Sequence, residues 1–172
     1  YDIPQVPMPN LNDLSIYETK AKERGSIKIA GVTICDGVWG DNEGKQNLYI
    51  EGTYENPVVI DGTIVVRGDL IIRGYVTGQA AIFSGRNIYI PQRLLYKNAV
   101  SEKQPSNNTE SSRENWRTTN ADKDLIGLFS KENIVFSDYN DYWWQRYVDN
   151  WINDDLNQSK EDAGLGKIPN TG

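Results

Sequence analysis

Between Val58 and Arg93 the chain repeats one short pattern. Steps of six from Val58 land on Ile64, Leu70, Val76, Ile82 and Ile88, so six successive positions in one register are aliphatic. Two residues further in each block come Ile60, Val66 and Ile72, then Gly78 and Ser84, then Ile90. Gly62, Gly68 and Gly74 follow two beyond the first three of these. Side chains two apart lie on one face of a strand, and glycine permits the bend into the next one. Three such sides close a coil of about 18 residues, with coils stacked at about 4.8 Å and paired in parallel. The fold predicted is mainly β, a short single-stranded parallel β-helix or β-solenoid. A β-meander is the competing arrangement. Its hairpins favour Asn-Gly or Asp-Gly between strands of about five or six residues, which Asp61-Gly62 fits and Arg67-Gly68 and Arg73-Gly74 fit less well.

The residue between the two aliphatics of each strand should face outward: Val59, Val65, Ile71, Thr77, Phe83 and Tyr89. Several are too apolar to be left bare, so something should cover at least one side of the coil. The remaining elements are predicted around this core. Residues 1–12, with Pro4, Pro7 and Pro9, read as an extended lead-in. A short helix should run to Arg24, opened by a Ser15 to Glu18 capping box and stopped by Gly25. Ser26–Ile34 reads as one strand. Residues 97–124 read as a long polar loop inserted in the coil, mobile or draped over the surface. The strand pattern resumes with Ile126 and Leu128, then Ile134 and Phe136. Residues 138–156 read as an amphipathic helix with Trp144, Val148, Trp151, Ile152 and Leu156 on one face, the expected cover for the outer stripe or cap for an open end. The organisation expected is a single domain over 1–172: solenoid core about 26–96 and 125–137, inserted loop about 97–124, C-terminal helix about 138–156.

Charge and composition narrow the function. A net charge of −6 argues against sequence-independent nucleic-acid binding, which needs a basic stripe to displace phosphate counterions. Arg67, Arg73, Arg86 and Arg93 stand against Asp61 and Asp69 within the repeat and read as a solvated outer face. The single cysteine, Cys35, cannot form an internal disulfide and reads as a small buried hydrophobe. The chain has no histidine, which removes Ser-His-Asp, Cys-His and His-containing zinc chemistry. No apolar run is long enough to span a bilayer. The opening Tyr1-Asp2-Ile3-Pro4 is not a signal peptide and reads as trimmed, so the absence of a targeting segment or anchor here proves little.

Two candidate sites stand out. Parallel β-helices lend themselves to polysaccharide recognition by paired carboxylates and stacking aromatics, and Asp138, Asp141, Trp143, Trp144 and Asp149 supply both types. The structural reading of the same residues is that the aspartates complement a helix start and the tryptophans pack. Calcium is a second possibility, through Asp36, Asp41 and Glu43 in an oxygen-rich, glycine-containing loop, although the spacing is not that of an EF-hand and such clusters are usually turns.

The lead-in followed by LNDLSIYETKAKERGS, the run VVIDGTIVVRGDLIIRGYVTGQAAIFSGRNIYIP and the later DLIGLFSKENIVFSD together resemble a family of bacterial exported β-solenoid proteins of unassigned function. Its members are described as pilus-assembly-associated or pilin-like at the N-terminus. The resemblance covers about residues 3 to 140. The six-residue rhythm alone also resembles bactofilins. The resemblance implies an exported protein of the bacterial cell envelope with a structural or adhesive role and no catalytic motif. Its partners would be envelope proteins or further copies of itself. The alternative carried by the candidate residues is a carbohydrate-binding or polysaccharide-cleaving β-helix.

Overall fold

The structure is a computed structural model that describes residues 10–40, 47–100, 105, 107–138 and 142. The predicted helix 138–156 therefore lies almost wholly outside the described residues. Within them the chain is mainly β. The elements in order are α1 (Ser15–Arg24), β1 (Ser26–Ile29), β2 (Val32–Cys35), β3 (Val38–Trp39), β4 (Leu48–Gly52), β5 (Val58–Val66), β6 (Leu70–Thr77), β7 (Gln79–Ser84), β8 (Ile88–Pro91), β9 (Leu94–Tyr96), α2 (Glu110–Asn120), β10 (Leu125–Ser130) and β11 (Ile134–Ser137).

The strands form one open, mixed sheet whose pairings fall into three ladders. In the first, β3, β5, β7 and β10 run parallel, with Ile64 beside Ile82 and Ile82 beside Leu128. In the second, β4, β6, β8 and β11 run parallel through Leu48, Leu70, Ile88 and Ile134. The third joins the start of β5 to the end of β6 at Val58 and Val76, and the end of β6 to β9. Strands β5 and β6 thus each serve two ladders. They bend at Gly62 and Gly74, whose φ values of +71° and +81° are open to glycine at little cost. Space enforces the choice as well, since a Cβ on Gly74 would lie 2.0 Å from the Gly52 carbonyl oxygen.

The six-residue register is the buried one. Val58, Ile64, Leu70, Val76, Ile82 and Ile88 all have no exposed surface and belong to a single apolar cluster with Ile60, Val66, Ile72 and Ile90. Each such side chain removed from water contributes about 1.5–3 kcal/mol, the main force holding the ladders together.

Several expectations are corrected. Ser26–Ile34 is not one strand. β1 and β2 form an antiparallel hairpin through Ala30 and Gly31, both at positive φ, and β1 also lies antiparallel on β5. The sheet is mixed for that reason. The capping box does not form: Leu14 is the N-cap with no side-chain bond, and the Ser15 N–H donates to Asp13 Oδ1 instead. Glu18 is drawn away by Arg67, which holds it through two hydrogen bonds of 2.8 Å.

Helix α1 also covers the outer face of the first ladder, a role the sequence pattern offered to residues 138–156. Its apolar positions Leu14, Tyr17 and Ala21, with Leu11 before it, pack with Val65, Phe83 and Phe129. Tyr17 stacks on Phe83 at 4.0 Å between ring centroids, and Phe83 on Phe129 at 4.9 Å.

The inserted segment is not simply a loop, because Glu110–Asn120 is helical. The Thr109 hydroxyl accepts from the Ser112 N–H, and ion pairs join Glu110 to Arg113 and Glu114 to Arg117. No residue of α2 is buried, so local capping and charge pairs hold it rather than packing. No helix among the described residues is long and apolar enough to cross a membrane.

Candidate functional site

The predicted carbohydrate-site residues Asp141, Trp143, Trp144 and Asp149 lie outside the described residues, as do Asp41 and Glu43 of the predicted calcium loop. Asp138 is exposed just after β11, and Asp36 is exposed in the turn between β2 and β3. Among the described residues no group of three or more acidic, cysteine or histidine side chains is placed to hold a metal ion. Cys35 is 3% exposed, and burial pushes its thiol up to about 12, helped by the charge of Asp36. Such a thiol holds its proton at neutral pH and is a poor nucleophile.

Of the four arginines read as a solvated face, Arg93 is exposed, but Arg67, Arg73 and Arg86 are built into the molecule. Arg67 is held by Glu18, Arg73 donates to Glu51 at 2.8 Å, and Arg86 pairs with Asp69. The Arg67 guanidinium holds the Glu18 carboxyl below its ordinary value of 4.5. Opposite charges at bonding distance favour the ionised form.

Asp69 belongs to a polar ladder that composition alone did not reveal. Asn47, Asp69, Asn87 and Asn133 each stand immediately before a strand of the second ladder. The Asp69 N–H donates to Asn47 Oδ1 at 2.7 Å, and Asp69 Oδ1 accepts from the Asn87 N–H at 2.8 Å and the Asn87 amide at 3.0 Å. The Asn133 amide in turn donates to Asn87 Oδ1 at 3.1 Å. These bonds tie successive strands of the second ladder together where each begins. At 2% exposure this carboxylate is well satisfied by its hydrogen bonds.

A second buried carboxylate, Asp124, pins the neck of the insertion. Its Oδ1 accepts from Thr77 Oγ1 and the Gly78 N–H, both at 2.9 Å, and its Oδ2 accepts from the Asn98 N–H at 2.6 Å. The Asp124 N–H donates back to the Asn98 carbonyl at 3.0 Å. Beyond this neck, Pro105, Glu110, Arg113, Trp116 and Arg117 line an open groove beside α2.

The two ends of the ladders differ sharply. At the first end β1 lies across β5, and Ile27 and Ile29 are buried. At the other, β10 and β11 end the strand order. Ile134 and Phe136 pair with the buried Ile88 and Ile90, so they occupy the inward columns, yet they are 41% and 75% exposed. Leu125 is 66% exposed. An inward column that reaches the surface is the most distinctive feature of the described chain.

Compared with known proteins, the chain matches no family model, no curated protein and no solved structure. The family resemblance of residues 3 to 140 gains no support from those comparisons.

Proposed function

We propose that this chain is a non-catalytic structural or adhesive module built as a short parallel β-solenoid. One observation carries the reading. The described charged groups that are most buried, Asp69 and Asp124, bond to backbone and to neighbouring strands, while the apolar columns run from strand to strand and reach the surface at Ile134 and Phe136. A molecule organised this way invests its polar side chains in holding shape and presents an edge. The family resemblance adds the setting: the bacterial cell envelope, with a pilus association and protein partners.

A carbohydrate-binding reading has one feature in its favour, the groove where half-buried Trp116 stands beside Arg113 and Arg117. An aromatic flanked by hydrogen-bond donors suits a sugar face. Titration of the full chain with envelope glycans, followed by tryptophan fluorescence, tests the two. The scaffold reading expects no saturable change. Saturable quenching that is lost in Trp116→Ala, or in Trp143→Ala and Trp144→Ala, without loss of fold, refutes it.

A further inference from the structure

The outer face of the second ladder is enclosed, yet no described element lies over it. The inward column of that ladder runs through Leu48, Leu70, Ile88 and Ile134, so the next residue of each strand points outward: Tyr49, Ile71, Tyr89 and Val135, which stand side by side. An outward position on an uncovered sheet keeps contact with water. Ile71 nevertheless has no exposed surface and Tyr49 is 2% exposed, while Tyr89 and Val135 are half-buried. Neighbours in the same column flank a side chain but do not roof it. Neither described helix does so, since α1 packs on Val65 and Phe83 of the first ladder and α2 buries no residue. Within the face, the Tyr49 hydroxyl donates to Glu51 at 2.6 Å and Arg73 lies over the Tyr49 ring. Tyr49, Arg73 and Tyr89 each make an interaction besides these.

This enclosure exists within a single chain, so its source is the same chain, outside the described residues. Residues 41–46 and 101–104 carry no apolar side chain, and residues 1–9 lead into Leu11, which packs on the first ladder. Residues 143–156 have what the face requires, with Trp144, Val148, Trp151, Ile152 and Leu156 recurring at three- and four-residue spacings. They also follow from the right place, because β11 is the last strand of the second ladder and ends at Ser137. Crossing from β11 to β4 takes about 14 Å at the spacing of paired strands, and a helix over 143–156 would extend about 21 Å. The deepest enclosure falls on β6 and β4, the strands farthest from β11, as a segment crossing the whole ladder requires.

We infer that residues 143–156 dock on the outer face of the second ladder, with their apolar side over Ile71 and Tyr49. The segment does for the second ladder what α1 does for the first. Trp144 and Trp151 then belong to the packed molecule and are not free platforms for a sugar ring. The inference concerns the chain's own packing, and the glycan titration reports on the functional reading separately from it.

Amide exchange of the full chain, read by mass spectrometry, is the test, with Ile71→Asn as the variant. The expected result is protection of residues 143–156 at least a hundredfold over the rate of an unstructured peptide, falling at least tenfold in Ile71→Asn while β5 and β7 keep theirs. Exchange of 143–156 at the unstructured rate in the wild-type chain overturns the proposal. Protection that is indifferent to Ile71→Asn overturns it by placing the segment elsewhere, and a loss confined to residues 1–9 overturns it in favour of that segment. If Ile71→Asn strips β5 and β7 as well, the milder pair Ile71→Val and Trp151→Ala decides. Independent sites multiply their effects on the unfolding constant, whereas docking expects the double variant to fall at least threefold short of that product. A double variant equal to the product overturns the proposal.

Discussion

Replacing Asp124 by alanine tests whether the inserted segment is truly held at its neck. The carboxylate is 2% exposed and accepts three hydrogen bonds, from the Thr77 hydroxyl and the Gly78 and Asn98 N–H groups. Hydrogen bonds to a charged acceptor contribute about 1.5–3 kcal/mol each, and a buried donor left unsatisfied costs about 1–3 kcal/mol. Asn98 is exposed, so water replaces the carboxylate there; Thr77 and Gly78 are half-buried and regain less. The expected loss is about 2–4 kcal/mol, a large share of the roughly 5–15 kcal/mol that stabilises a typical domain. Urea unfolding followed by far-UV circular dichroism should show a lower midpoint with an unchanged slope. Asp124→Asn keeps one oxygen for Thr77 and Gly78 but turns an NH2 toward the Asn98 N–H, so it should lose about half as much. Asp122→Ala, at an exposed position two residues away, should stay within about 0.5 kcal/mol of wild type. If Asp124→Ala also stays within that range, the carboxylate does not hold the neck and the reasoning fails.

Three further outcomes are expected. Gly74→Ala should destabilise by about 2 kcal/mol or more, because its Cβ meets the Gly52 carbonyl oxygen at 2.0 Å and its φ is +81°; a chemical-denaturation midpoint equal to wild type contradicts the bend. The folded-state pKa of Glu18 is depressed, so its contribution is complete above the unfolded value of 4.5 and fades as pH falls through the lower folded value. Glu18→Gln should remove that part of the acid dependence, worth about 1 kcal/mol or less after solvent screening, as read from thermal unfolding at a series of pH values. Cys35 should resist a thiol reagent at pH 8 in the folded chain and react once urea unfolds it, in a colorimetric thiol assay; rapid labelling of the native chain refutes its burial.

The repeat was legible because burial repeats with it. Every sixth residue from Val58 to Ile88 is enclosed, and no local chemistry competes with that pattern. What escaped was set by partners distant in sequence or by unusual backbone. Glu18 was available to cap its own helix, but Arg67, 49 residues away, binds it in two places. The Ala30-Gly31 turn uses an alanine at positive φ, a conformation that such residues seldom adopt, so the hairpin left little trace in the letters. Helix α2 has no apolar face to betray it. The Asn47, Asp69, Asn87 and Asn133 ladder is unevenly spaced, at intervals of 22, 18 and 46 residues, the longest of which carries the insertion. Its constant sign is a position, the residue just ahead of each strand. The exposed end could not be found from sequence at all, since Ile134 and Phe136 carry the same pattern as the buried Ile88 and Ile90. Only the absence of a described layer above them makes them different.

The neck at Asn98 and Asp124 has a consequence for how this architecture tolerates change. β7 and β10 pair residue for residue although the whole insertion lies between them, and Asn98 and Asp124 clasp one another where it leaves and returns. The cost of bringing the ends together is met by the clasp, and each doubling of the intervening length adds only about 0.6 kcal/mol. The segment beyond the clasp can therefore be shortened, exchanged or replaced by a foreign peptide while the strands on either side keep their alignment. That makes it a natural socket for displayed sequence on an otherwise invariant frame.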